Sequence, residues 1–219
     1  MKKGNHKNLY VAIGMLIAFT LWTAAVRFID VQAIGPRGST VGFAAVNHFI
    51  HNLTGVNWTL YHVTDWLGLV PVAFGMGFAI LGLAQWIQRK HILKVNHSIL
   101  VLGGFYIIVT AAYLLFETVV INYRPVLIND YLEASYPSST TLLVLCVMST
   151  AIMQFNSRIQ NKTLKKGISL TITAFIVFMV MGRLISGVHW FSDIIGGALL
   201  SAGLVMMYRY IVKITEVVA

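Results

Sequence analysis

The segment RLISGVHWFSD, residues 183–193, places an arginine, a histidine and an aspartate between two long apolar runs. Ionisable groups close to membrane hydrocarbon are costly and usually mark a functional site. His189 and Asp193 are four residues apart, about one helical turn, so the carboxylate can hold one imidazole nitrogen. That contact would fix the tautomer and leave the other nitrogen free as a nucleophile. Arg183 supplies a permanently charged, planar group that suits a phosphate.

Two other segments carry residues that suit the same chemistry. The first, ETVVINYRP at residues 117–125, contributes a second guanidinium, that of Arg124. The second, PSST at residues 137–140, places hydroxyls and free backbone N–H groups at a helix start, where the dipole favours anions. Although remote in sequence, the three segments lie at the same ends of the predicted helices and can surround one pocket. Together they indicate phosphoryl transfer through a phosphohistidine.

The elements that hold these residues are predicted to be transmembrane helices. Of the 219 residues, 58% are hydrophobic and 11% are charged, whereas soluble domains carry about a quarter charged residues. Six apolar runs approach or exceed the roughly 20 residues that cross a bilayer. We predict a single domain over residues 1–219, an all-α membrane protein built as a bundle of six transmembrane helices. The predicted spans are approximately Leu9–Phe28, Trp66–Gln88, Ser98–Ile121, Ser139–Phe155, Ile168–Ile185 and Ile194–Val212.

The basic residues predict the orientation of the bundle. Of the 16 Lys and Arg, 12 lie on one side of the predicted spans, and the positive-inside rule assigns that side to the cytoplasm. Of the seven acidic residues, only Glu216 falls there. We predict a multi-pass protein of the plasma membrane with both termini cytoplasmic and the three polar segments outside. The 12 basic residues are Lys2, Lys3, Lys7, Arg89, Lys90, Lys94, Arg158, Lys162, Lys165, Lys166, Arg209 and Lys213.

The net charge of +9 does not indicate a nucleic-acid partner. The basic residues are spread over short loops, so topology and anionic lipid headgroups account for them, and we predict membrane lipids as partners. Between the first two spans, Val41–Leu53 has a helical apolar pattern that predicts an interfacial helix on the outer face. This helix has either a structural role or a role as a lid or lipid entry. His48, His51 and His62 lack partners with ligand spacing, so we predict no metal site and no cofactor.

At these three segments the sequence resembles the type 2 phosphatidic acid phosphatase superfamily, whose motifs are K-x6-R-P, P-S-G-H and S-R-x5-H-x3-D. The resemblance implies a six-helix fold, an outward-facing site and metal-independent lipid phosphatase activity. It also implies that His189 is the nucleophile, that Asp193 orients it, and that two arginines and one serine bind the phosphate. The matched positions are Arg124-Pro125, Pro137-Ser138, and Arg183, His189 and Asp193, with Gly182 where serine is usual.

The sequence also departs from the family pattern. Glu117 stands where the family has a phosphate-binding lysine, and its spacing from Arg124 predicts an ion pair with Arg124 or Arg183 that modulates the site. Ser139 and Thr140 replace the Gly-His whose histidine protonates the leaving group. We expect Thr140 to act as a helix N-cap or a hydroxyl donor.

Two functions fit this sequence. The first is a phosphoric monoester or diphosphate hydrolase that removes the terminal phosphate of a lipid phosphate or a prenyl diphosphate such as an undecaprenyl carrier. The second is a catalytically impaired family member that binds lipid phosphates as a carrier or partner subunit. Loss of the histidine that acts as general acid favours a diphosphate substrate. A departing phosphate monoester, whose second pKa is about 6, needs little protonation.

Overall fold

The computed structural model describes residues 6–218, so Lys2 and Lys3 lie outside the described part of the chain. Within that part the fold consists of α-helices and two short 3₁₀ helices, Pro36–Gly38 and Ile92–Lys94, with isolated antiparallel bridges and no β-strand. The α-helices are α1 (His6–Phe28), α2 (Ala44–Thr54), α3 (Trp58–Leu67), α4 (Leu69–Arg89), α5 (His97–Thr118), α6 (Ser139–Arg158), α7 (Lys162–Ile185) and α8 (Phe191–Val218).

Six helical segments of the described chain are long and apolar enough to cross a membrane, which confirms the predicted all-α bundle. The second is longer than predicted because α3 and α4 join at Gly68, which keeps helical angles (φ −59°, ψ −20°). Pro71 lacks the N–H that would continue the ladder to Leu67, and this interrupts the helix at the junction. The six segments are His6–Phe28, Trp58–Arg89, His97–Thr118, Ser139–Arg158, Lys162–Ile185 and Phe191–Thr215.

Helices α6 and α8 form the centre of the bundle, and α1 packs along α8. Many large apolar side chains on the outer helix faces are exposed, as expected of surfaces that meet lipid. Below the site, Phe19 of α1 stacks on Tyr136 at 6.3 Å between ring centroids, and Phe116 meets both rings edge-on. This aromatic cluster joins α1 and α5 to the chain that enters α6.

A helix, α2, is present where the interfacial helix was predicted, and it begins at Ala44 rather than at Val41. Val46, Phe49 and Leu53 form an exposed apolar stripe along it, as expected of a helix lying at a membrane surface. On the opposite face Asn47 is buried and anchors α2 to the start of α8. Its Oδ1 accepts from the backbone N–H of Ser192 at 3.0 Å, and its Nδ2 donates to the Ser192 hydroxyl at 2.9 Å. Polar bonds thus set the position of α2.

The predicted basic loops meet at the end of the bundle opposite the three polar segments. There Ser98 at the start of α5 accepts from Arg158 at the end of α6, with 3.3 Å between Oγ and Nη2. The buried Gln154 side chain donates to the backbone carbonyl of Ser98 at 3.2 Å and to the hydroxyl of Tyr208. These bonds fix the basic ends of α5, α6 and α8 together.

Candidate active site

The connection between α5 and α6, residues 119–138, folds into an irregular hairpin. At its tip Ile128 and Tyr131 exchange backbone hydrogen bonds of 3.1 and 2.9 Å. The two residues between them, Asn129 and Asp130, have φ of 48° and 64°. Positive φ at both central positions is the requirement of a two-residue type I′ turn, and Asn and Asp tolerate it better than most residues. The turn therefore returns the chain beside itself.

The hairpin presents four polar side chains on one face. Tyr123 bridges Ala134, and because side chains alternate along an extended chain, the residues on either side of this pair point the other way together. Backbone bonds from Arg124 to Glu133 (3.1 Å) and from Ser135 to Asn122 (2.9 Å) hold the register. The four side chains are those of Asn122, Arg124, Glu133 and Ser135.

The loop between α7 and α8 places His189 under this hairpin. It turns at Gly187, whose φ is +68° and where a Cβ would lie 1.8 Å from the carbonyl oxygen of Gly55, so only glycine fits. Trp190 is buried, and its indole N–H donates to the Tyr123 carbonyl at 2.8 Å. His189, between these two anchors, is buried.

Two arginines converge on one nitrogen of His189. Nε2 lies 3.3 Å from Nη1 of Arg124 and 3.3 Å from Nη2 of Arg183. A guanidinium has only donors, so Nε2 must be the unprotonated, accepting nitrogen and Nδ1 must carry the proton. Burial and the charges of Arg124 and Arg183 also hold the pKa of His189 well below its ordinary value. The side chain is therefore a neutral imidazole with its lone pair between two cations.

Asp193 does not contact His189 in the predicted way. Its Oδ2 lies 3.9 Å from Nδ1, which is too long for a hydrogen bond. The hydroxyl of Ser135 lies between them, 3.0 Å from Nδ1 and 2.5 Å from Oδ2. Oδ2 also accepts from the backbone N–H of Trp190 at 2.9 Å. The carboxylate of Asp193 thus accepts from the residue that precedes α8, as in a capping box. This bond keeps the carboxylate away from the imidazole ring.

Arg183 is held by α3. Its guanidinium lies 5.0 Å from the ring centroid of Tyr61, 3.7 Å from a carboxylate oxygen of Asp65 and 3.5 Å from the hydroxyl of Thr64. The third motif usually has serine at the position of Gly182. Here a Cβ would lie 2.7 Å from Cγ2 of Thr64. Close approach of α3 to α7 therefore requires glycine.

The ion pair predicted for Glu117 is formed instead by other acids. Nε of Arg124 lies 3.0 Å from Oε2 of Glu133, and Arg183 pairs with Asp65. Within the described chain, neither arginine pairs with Glu117. Helix α5 ends at Thr118 and the chain then extends, so the helical spacing between Glu117 and Arg124 assumed from the sequence does not exist.

Ser138 has a structural position. Its hydroxyl accepts from the backbone N–H and the hydroxyl of Thr141 at 3.4 and 3.0 Å, so it is the N-cap of α6. Its own N–H donates to the carbonyl of Asp193 at 3.0 Å. Thr140, predicted as a cap or hydroxyl donor, therefore lies within the first helical turn rather than at the cap.

Two cavities share Tyr113 and Ser139, and Arg124 lines one of them. One, of about 600 Å³, is lined by Glu117, Arg124, Glu133 and Ser139 among others. The other, of about 290 Å³, lies between the end of α3 and helices α5 and α6, and Ser139 also lines it. Thr140 and Asp65 complete its polar wall. The residues at the two altered family positions thus border these two cavities.

The remaining histidines of the outer segment have ordinary environments. His51 packs against Trp190 at 5.5 Å between centroids, and burial together with the nearby His48 lowers its pKa. His62 packs against Trp58 and Tyr61. Among residues 6–218 no group of three His, Cys, Asp or Glu side chains is arranged to hold a metal ion.

Sequence reasoning missed Ser135, Asn122 and Asn47. Asn122 donates to Oδ1 of Asp193 at 3.3 Å, and Asn47 fixes Ser192 beside it. The Asn129-Asp130 pair, with apolar residues on both sides, was the available signal for a hairpin. No local pattern indicates that Asn47 reaches α8.

The comparisons with known proteins concern the family and the fold. The model of the PAP2 superfamily matches residues 117–215, which contain the hairpin, His189 and Asp193. Among solved structures, a transmembrane PAP2 type phosphatidylglycerolphosphate phosphatase from Bacillus subtilis shares the fold, with a TM-score of 0.56 and 17% identity over 93% of this chain and 96% of that chain. No curated protein matches significantly. The match over residues 117–215 supports membership of the PAP2 superfamily.

Proposed function

We propose that this protein is a membrane lipid phosphatase that removes a terminal phosphate through a phosphohistidine on His189, at the outer membrane face. The observation that carries the proposal is the position of Nε2, 3.3 Å from a donor of each of Arg124 and Arg183. A phosphate bound by both guanidinium groups would lie against the lone pair of a neutral imidazole, which is the arrangement that nucleophilic attack requires.

The reaction has two steps. The Nε2 lone pair attacks phosphorus, an N–P bond forms, and the bond from phosphorus to the lipid oxygen breaks with its electrons going to the leaving group. Water then attacks the same phosphorus, the N–P electrons return to Nε2, and inorganic phosphate leaves as dihydrogen phosphate with both protons of the water. In both steps Arg124 and Arg183 stabilise the charge on the equatorial oxygens.

The substrate we favour is a prenyl diphosphate. Expulsion of an alkoxide from a monoester gains about 10²- to 10⁴-fold from a general acid, and Thr140, which stands at the family's acidic histidine, does not titrate in this range. A diphosphate expels a phosphate monoester, which is stable as an anion near neutral pH. Thr140 lines the neighbouring cavity, where it can donate a hydrogen bond to such a group without giving up a proton.

The test is phosphate release by the purified protein from phosphatidate, phosphatidylglycerol phosphate and a prenyl diphosphate. We expect kcat/KM to be highest for the prenyl diphosphate. His189→Ala should abolish release, and Asp193→Asn should lower it about 10²- to 10⁴-fold. His97→Ala, at the opposite end of α5, is the matched control.

Each alternative gives a different result. Release that survives His189→Ala would contradict the phosphohistidine route, and better use of a monoester would contradict the diphosphate preference. A wild type that binds these lipids but releases no phosphate from any of them would favour the impaired carrier or partner subunit.

A further inference from the structure

We infer that Ser135 is a positioning residue that connects Asp193 to His189, so that the carboxylate acts on the nucleophile through a serine hydroxyl. This inference rests on the proposed function. The hydroxyl lies 3.0 Å from Nδ1 and 2.5 Å from Oδ2, whereas these two atoms are 3.9 Å apart. The hydroxyl is therefore closer to each group than they are to one another.

The side-chain donors and acceptors of this hydrogen-bond chain, from His189 through Ser135 to Asp193, can be arranged in one way. Both arginines donate to Nε2, so the ring proton is on Nδ1. Nδ1–H then donates to the serine oxygen, and the serine O–H donates to the carboxylate, which accepts only. The 2.5 Å distance is typical of a hydroxyl that donates to an ionised carboxylate. The serine O–H thus donates to the carboxylate, and the Nδ1–H faces the serine hydroxyl and also interacts with the backbone carbonyl of Ser135.

The surroundings of Ser135 restrict its hydroxyl to the partners already named. Ser135 is 2% exposed, and its backbone N–H is bonded to the Asn122 carbonyl in the hairpin. The carboxylate is fixed from its other sides by the Trp190 N–H at 2.9 Å and the Asn122 amide at 3.3 Å. The hairpin and the start of α8 thus hold both ends of the chain.

The hydrogen-bond chain contributes to the reaction when the imidazole becomes cationic. Attack by Nε2 leaves a phosphorylated imidazolium with its proton still on Nδ1, and the positive charge strengthens the bond to Ser135 and, through it, to Asp193. No proton needs to move along the chain. The two bonds orient the ring and stabilise its charge, so their loss should slow phosphorylation more than it weakens phosphate binding by the arginines.

The experiment combines two substitutions. Ser135→Ala should lower kcat about 10- to 100-fold, the effect of a lost hydrogen bond to a charged group, with little change in KM. Ser135→Thr retains the hydroxyl and should recover most of the rate. Ser201→Ala removes another buried hydroxyl, on α8 away from the site, and should have no comparable effect.

The decisive result is the double variant. If Asp193 acts through Ser135, Ser135→Ala with Asp193→Asn should be no slower than Asp193→Asn alone, because both changes break the same chain. Losses that multiply would overturn the inference and indicate separate actions.

A second measurement does not depend on turnover. In protein with ¹⁵N-labelled histidine, the Nδ1–H resonance of His189 is identified by its disappearance in His189→Ala. Ser135→Ala should move this resonance upfield, because the proton loses its hydroxyl acceptor and keeps only the backbone carbonyl of residue 135. An unchanged resonance would overturn the inference. Absence of phosphate release by the wild type would instead count against the proposed function, and the resonance would still test the chain.

Discussion

At the residue scale, the charge around the two arginines that we propose to bind phosphate differs from what the sequence suggested. The acid that contacts Arg124 is Glu133, at 3.0 Å, and its side chain is 41% exposed, against 11% for the arginine. Glu117 lines the same cavity without an ion pair to either arginine. Under the proposed function, Glu133 would compete with an incoming phosphate for Arg124, and Glu117 would act at longer range.

We expect Glu133→Gln to tighten inhibition by inorganic phosphate or vanadate about 2- to 5-fold. The change is modest because a half-exposed ion pair contributes only about 0.2–1 kcal/mol. Glu117→Gln is the matched control and should tighten inhibition less. The measurement is the inhibition constant of each variant at fixed pH and salt. Weaker inhibition in Glu133→Gln would contradict this account and show that Glu133 mainly positions Arg124.

At the element scale, the position of Arg183 depends on how closely α3 approaches α7. A Cβ at Gly182 would lie 2.7 Å from Cγ2 of Thr64, whereas one at Gly167 in the same helix would meet nothing within 4 Å. Alanine at either position gains about 1 kcal/mol of helix propensity over glycine. Only at Gly182 does overpacking, which costs about 1–3 kcal/mol, oppose that gain.

We therefore expect Gly167→Ala to raise the thermal unfolding temperature in detergent and Gly182→Ala to lower it. Thr64→Ser removes Cγ2 but retains the hydroxyl that contacts Arg183, so adding it to Gly182→Ala should recover part of the loss. Equal effects of the two alanine substitutions, or no recovery in the double variant, would show that the helices do not touch at this point.

The elements that the sequence predicted are those with a local signal. Runs of apolar residues marked the spans, and the spacing of Arg183, His189 and Asp193 marked the third motif. The contacts that complete the site are non-local. Ser135 reaches His189 only because a hairpin turns at Asn129 and Asp130. The ion pair predicted for Glu117 was wrong because it assumed helical spacing past the end of α5. The two-residue turn explains why the contact of Ser135 was missed, and the end of α5 explains why the predicted ion pair is not formed.

At the scale of the whole molecule, the bundle separates two kinds of positive charge. The basic residues of the loops gather at one end, where Arg158 bonds to Ser98, and the two buried site arginines lie at the other. A surface of exposed Lys and Arg suits the anionic cytoplasmic leaflet. Buried arginines around a histidine suit a phosphate ligand instead. This separation is why we propose that the site faces outward.

The orientation can be tested with single cysteines, because the native Cys146 is fully buried and should give little background. We expect Tyr131→Cys, at the 72% exposed tip of the hairpin, to react with a membrane-impermeant maleimide in intact cells. Lys166→Cys, near the start of α7 among the basic residues, should react only after the cells are permeabilised. The physical reason is the cost of translocating clustered basic residues in short loops. The reverse pattern would place the site in the cytoplasm, and the substrate would then have to be a lipid phosphate of the inner leaflet.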